Sequence, residues 1–219
     1  MQAGRPVKQN HEGGHHDYRE ALANTDVGLS CLTQSLENAG YPGFSLCLYG
    51  PAGTGKSAYA RYLAERLGRD VVFKRGSDIF QPFVGMTEKA IAKAFEDAWQ
   101  AEALLIIDEA DSFLQDRKNA SKSWEVTSVN EMLTWLESHP LPVVFTTNLF
   151  EALDTASLRR FTFKVKFDYL DVQQARHAFE HFFGCTPPQG VRLPDTLTPG
   201  DFANVQHKAR ILGVDKDPV

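Results

Sequence analysis

Residues 50–57 read Gly-Pro-Ala-Gly-Thr-Gly-Lys-Ser, and no other segment restricts the available folds so sharply. The run fits G-x-x-x-x-G-K-[ST], a glycine-rich loop whose backbone N–H groups turn inward around phosphates. A short apolar strand candidate, Phe44 to Tyr49, delivers it, and a helix candidate, Ala58 to Leu67, follows with Gly68 at its end. The chemistry needs that setting, because the N-terminus of the following helix adds a favourable dipole to a bound anion. Lys56 is expected to reach the β- and γ-phosphates and the Ser57 hydroxyl to bind Mg²⁺. Gly50, Pro51, Ala52, Gly53, Thr54, Gly55 and Ala58 complete the expected phosphate cradle.

The rest of the composition narrows the class. With 219 residues, 42% of them hydrophobic and 23% charged, the chain suits one globular domain and a small appendage. A net charge of −5 carries no basic signature for nucleic acid or an anionic membrane. Cys31, Cys47 and Cys185 are too few and too widely spaced for a disulfide framework or a C-x-x-C metal site. They suit a reducing cytosol, so the expected location is cytoplasmic. No stretch approaches the ~18 apolar residues of a membrane span, and the start of the chain has no signal-peptide core. Residues 1–17 read as a mobile polar tail.

Along the chain, helical and strand patterns alternate. Tyr18 to about Asn38 is broadly helical, with a break near residues 24–28. Further strands are expected at Val71–Lys74, Leu104–Ile107, Pro142–Thr146 and Phe161–Phe167, and further helices at Thr87–Gln100 and Trp124–Ser138. Such alternation predicts an α/β fold, doubly wound around a parallel five-stranded sheet. Ligands then collect at the carboxyl ends of the strands. The P-loop follows the first strand, Asp108 and Glu109 the third, Asn148 the fourth. After Phe167 only helices remain, Asp171–Phe183 and Pro199–Leu212, around a Pro-rich loop. The expected units are the tail 1–17, an ATPase core 18–168 and a small helical lid 169–219.

Cleaving a nucleoside triphosphate needs a carboxylate for Mg²⁺ and a second group to direct water. Asp108 is expected to hold the metal shell and Glu109 to act as general base. Together Gly50–Ser57, the run Leu104–Asp111, Thr146-Thr147-Asn148 and Leu153–Phe161 resemble the AAA family of ATPases, over roughly residues 20–213. The resemblance implies strand order five-one-four-three-two and a ring, a hexamer. It implies that Asn148 is the residue called sensor 1, polarising water or contacting the γ-phosphate. It places arginine fingers at Arg159 and Arg160, either of which would neutralise charge on a neighbour's γ-phosphoryl. Phe83-Val84-Gly85 resembles the aromatic-Val-Gly pore loop that grips polypeptide in hexameric relatives, with Met86 where the family usually has an acid. Asp26-Val27-Gly28 is similar to the family's motif beside the adenine. Gly200, opening the last helix, stands where the second sensor lies, and no arginine accompanies it.

The function implied is an ATP- and Mg²⁺-dependent ATPase, acting as a homo-oligomeric motor that remodels or unfolds protein substrates through a central pore. The alternative from a different class is a nucleic-acid-linked ATPase, such as a helicase loader or transposition helper. Against it stand the charge of −5 and the lack of an appended DNA-binding domain. A third reading, a scaffold that binds ATP but barely turns it over, conflicts with the intact Lys56, Asp108, Glu109 and Asn148.

Overall fold

The computed structural model describes residues 18–40, 43–81, 83, 85–111, 123–149, 158–188 and 190–214. The tail 1–17, Pro82 and Val84 of the pore-loop segment, and residues 153–157 lie outside them. The strands are β1 (Asn24–Thr25), β2 (Ser45–Tyr49), β3 (Val71–Arg75), β4 (Leu104–Asp108), β5 (Val143–Thr147) and β6 (Phe163–Asp168). The helices are α1 (Leu29–Ala39), α2 (Lys56–Arg66), α3 (Gly76–Ile79), α4 (Met86–Gln100), α5 (Ser123–Ser138), α6 (Val172–Phe183) and α7 (Pro199–Leu212).

The sheet runs β1-β6-β2-β5-β4-β3, and every pair within β6-β2-β5-β4-β3 is parallel. This is the expected five-one-four-three-two order with one strand more. The correction lies in the break near residues 24–28. There a 3-10 turn, Glu20–Leu22, leads into β1, which pairs antiparallel with β6 through Asn24↔Asp168 and Thr25↔Phe167.

The continuous apolar runs of β2, β4 and β5 divide by alternate residues between the two faces, as a pleated strand requires. Cys47, Leu105, Ile107, Val143 and Phe145 face α4 and α5, where Ile91, Ala94, Phe95, Met132 and Leu133 are buried. Leu46, Leu48, Leu104, Ile106 and Val144 face the other way, onto Leu29 and Leu36 of α1 and Tyr59, Ala60 and Leu63 of α2. In β6 only Val165 and Phe167 are fully buried, while Lys164 and Lys166 are exposed, matching the alternation in its sequence.

A separate aromatic cluster packs the two C-terminal helices, the segment expected to act as a lid. Leu170, Ala175, Ala178 and Phe202 are buried together, with Phe179, Phe182 and Phe183 packed against them. Leu22 from the N-terminal turn joins that cluster, and Gln174 Nε2 donates to the Ala23 carbonyl at 3.1 Å. Both lid helices start at capping boxes, Asp171 with Gln174 and Thr198 with Asp201, and α7 has Pro199 at its first position. Among the described residues no helix is long and apolar enough to cross a membrane.

Candidate functional site

Each strand that ends in the site hands over a different kind of group. β2 leads into the loop 50–55, and α2 starts at Lys56. The Lys56 side chain folds back, its Nζ donating to the carbonyls of Gly50 and Pro51 at 2.8 and 2.7 Å. Thr54 is buried and donates to the Pro51 carbonyl at 2.8 Å, which holds the loop's shape.

β4 supplies the carboxylates. Ser57 Oγ donates to Asp108 Oδ1 at 2.5 Å, and Thr146 Oγ1 donates to the same oxygen. Glu109 has φ 54°, a left-handed conformation uncommon for a residue with a side chain. Its N–H donates to Thr146 Oγ1 at 3.1 Å, which holds the residue there. Strain of this kind gathers at functional sites. β5 contributes Asn148, whose N–H donates to Asp111 Oδ1 at 3.0 Å.

These groups surround a cavity of about 410 Å³ lined by Ala52, Gly53, Gly55, Lys56, Ser57, Ala58, Asp108, Glu109, Thr146 and Asn148 from the core. The lid closes one side with Phe182, Pro199, Gly200 and Ala203. Lid and loop meet backbone to backbone. Gly200 N–H donates to the Gly53 carbonyl at 3.0 Å, and a Cβ on Gly200 would lie 3.0 Å from Gly53 Cα. A side chain there would crowd the loop, and with Pro199 and Gly200 at the cavity wall α7 brings the positive end of its dipole to it.

Other expected residues sit elsewhere. Asp26 and Val27 are not among the lining residues. Asp26 Oδ1 instead accepts the Lys166 N–H at 2.8 Å, extending the pairing of β1 with β6. Arg160 does not line its own chain's cavity; its Nη1 lies 2.6 Å from Glu137 Oε1 on α5. Arg159 is exposed beside it. Phe83 is 69% exposed, and Gly85 turns the chain into α4 with φ 80°. The sequence reading assigned no role to Thr146, Thr147, Asp111 or Phe182. Two hydroxyls ending a buried strand were the available signal for the threonines. Nothing local marked Phe182, since an aromatic on an amphipathic helix reads as packing.

The donor set fits a nucleotide with Mg²⁺. Two hard oxygens, Ser57 Oγ and Asp108 Oδ1, stand beside Lys56 and the glycine-rich loop that lines the cavity. Mg²⁺ commonly takes one or two protein oxygens together with substrate phosphates. Fold and cavity together define a P-loop nucleoside triphosphatase.

The ATPase family associated with various cellular activities (AAA) matches residues 46–169, more than half of the chain. The chain belongs to that family. It is 29% identical over 191 residues to the mitochondrial inner membrane i-AAA protease supercomplex subunit YME1 of Saccharomyces cerevisiae, covering 78% of this chain and 25% of that protein. It is 33% identical over 124 residues to Protein SAV of Sulfolobus acidocaldarius, covering 54% of this chain and 16% of that one. With Protein SUPPRESSOR OF K(+) TRANSPORT GROWTH DEFECT 1 of Arabidopsis thaliana it shares 29% over 209 residues, 92% of this chain and 46% of that one. The chain therefore spans less than half the length of each of these relatives.

Burial lowers the Lys56 ammonium from its usual range to about 8, while Asp111 and Asp108 pull it upward. Bound phosphates would keep it protonated, so above pH 8 binding must take up a proton. ADP affinity should stay level below pH 8 and weaken by up to about tenfold per pH unit above it. Without nucleotide the sign reverses. Between pH 8 and the unfolded value of 10.5 the unfolded chain holds more protons, so stability rises with pH. Calorimetric titration of ADP from pH 7 to 9.5 checks the first statement, and a flat affinity would overturn the lowered value for Lys56.

Proposed function

We propose that this chain hydrolyses ATP as one subunit of a ring, a hexamer, that pulls or loosens a protein substrate at a central pore. In this reading Ser57 and Asp108 hold Mg²⁺, which when bound neutralises charge across the β- and γ-phosphates. Lys56 leaves the Gly50 and Pro51 carbonyls for the phosphates. Glu109 takes the proton of the attacking water, and Asn148 orients that water or the γ-phosphate. Arg160, or Arg159 beside it, reaches the site of the neighbouring subunit. Phe182 meets the base side of the nucleotide, together with the contacts expected from Asp26 and Val27. Because Gly200 rests on Gly53, a change at the phosphates moves lid against core and, through α4, the pore segment. Cys31, Cys47 and Cys185 are free thiols, which suits a reducing compartment such as the cytosol.

The observation that carries the substrate class is Phe83. Its ring is 69% exposed ahead of α4, and Phe80 and Met86 beside it in sequence are exposed as well. A large apolar surface left open at a helix entry serves a partner rather than the core. It offers side chains of any sequence the same apolar grip. One of the relatives carries a name that places it in a protease complex, which accords with a polypeptide substrate. Among the described residues no structural observation favours the nucleic-acid alternative.

Phe83→Ala is expected to leave ATP turnover within about a factor of two of wild type, since the residue lies outside the cavity. ATP-driven unfolding of a probe, a destabilised globular domain with an unstructured tail, should be lost. Unfolding at the wild-type rate in this variant would end the pore-loop assignment.

A further inference from the structure

The carboxyl ends of β4 and β5 are tied together by two hydroxyl–carboxylate pairs. Thr146 Oγ1 donates to Asp108 Oδ1, within the nucleotide cavity. Thr147 Oγ1 donates to Asp111 Oδ1. Neighbouring residues of a strand point to opposite faces of the sheet, so the second pair lies behind the first. Neither Asp111 nor Thr147 lines the cavity. Both threonines are buried, Thr147 at 1% exposure, where a hydroxyl needs a partner.

We propose that Asp111 and Thr147 form a positioning clasp that holds Glu109 and Asn148 in register for ATP cleavage. The inference rests on the ATPase reading above and adds to it a pair of residues that act without touching the nucleotide. Three contacts support the clasp. The Asp111 oxygen that accepts from Thr147 also accepts the Asn148 N–H at 3.0 Å. Thr147 Oγ1 in turn accepts the Leu149 N–H at 3.1 Å. The backbone on both sides of Asn148 is therefore bound to the clasp.

Glu109 is bracketed in the same way. Its N–H is held by Thr146, the Ala110 N–H donates to the Thr146 carbonyl at 2.9 Å, and Asp111 is anchored to Thr147. The left-handed backbone at Glu109 persists only where its surroundings over-determine it. With the clasp gone, residues 109–111 can relax, and the two groups that flank the water separate. Misplacement by about 1 Å costs on the order of 100-fold in rate.

The Asp111 charge also acts on Lys56, so its removal alters more than position. The threonine variants leave that charge alone. Thr147→Val keeps shape and removes the hydroxyl, whereas Thr147→Ser keeps the hydroxyl. Steady-state ATP hydrolysis and calorimetric ADP binding are measured on the full chain at concentrations that sustain wild-type turnover. Thr147→Val should lower kcat roughly 10- to 100-fold with the ADP Kd held within about threefold, and Thr147→Ser should stay near wild type. Asp111→Ala should show at least the same fall in kcat and supplies the test if Thr147→Val does not fold. Wild-type kcat in Thr147→Val or in Asp111→Ala would overturn the clasp. An equal loss in the Ser and Val variants, or a Kd that rises as far as kcat falls, would overturn it too. A wild-type chain that turns over no ATP would sink the proposed function itself, which is a separate result.

Discussion

Replacing Glu109 by Gln should leave nucleotide binding intact and reduce ATP turnover by about 10²- to 10⁴-fold, the usual worth of a positioned base. The side chains proposed to hold the phosphates and Mg²⁺ are placed without Glu109. Lys56 is placed by the Gly50 and Pro51 carbonyls, and Ser57 by Asp108. The Glu109 backbone is held through Thr146, so the amide variant keeps the same main-chain contact. A single-turnover measurement with radiolabelled ATP, alongside ADP affinity, separates the two effects. Turnover at the wild-type rate would remove Glu109 from the chemistry and shift the base to another group in the cavity.

The second large effect belongs to Arg160. A finger supplied from a neighbouring chain contributes roughly 10³-fold or more to phosphoryl transfer. Arg160 is separated from its own cavity, and Glu137 on α5 holds its guanidinium at 2.6 Å. That pair is exposed and worth little to stability, so in the proposed ring it would release the arginine to a neighbouring subunit at little cost. Arg160→Ala should thus reduce turnover about 10³-fold with little change in melting temperature. Arg159→Ala should have a smaller effect. Mixing supplies the sharper check. Arg160→Ala subunits keep Glu109, and Glu109→Gln subunits keep Arg160, so a mixed assembly contains complete sites that neither variant forms alone. Recovered activity on mixing establishes action in trans. Its absence, with both variants still assembling, would show that each chain completes its own site.

How far the sequence was readable depended on how local the physics is. The loop 50–57 was legible because its glycines, lysine and serine act within eight consecutive positions. The buried strands were legible because Leu104–Ile107 and Val143–Phe145 are apolar on both faces, which only a covered sheet tolerates. β1 was not legible. Two residues, Asn24 and Thr25, carry no periodic signal, and their pairing depends on β6 far along the chain. The pairing of Asp26 with β6 was hidden for the same reason, since the Lys166 N–H that its Oδ1 accepts lies far along the chain. Phe182 resembled any other packed aromatic until the lid was folded over the loop.

What the sequence alone determined is the phosphate-loop pattern and which strands lead to the cavity, because both follow from short patterns and alternation. It could not decide which hydroxyl meets which carboxylate. Thr146 with Asp108 and Thr147 with Asp111 are partners across 38 and 36 positions. Their meeting follows from the parallel register of β4 with β5, Ile107 opposite Phe145. A shift of one residue would turn each threonine to the other face of the sheet. The contact of Gly200 with Gly53, and with it the lid's hold on the nucleotide loop, likewise exists only once the chain is packed.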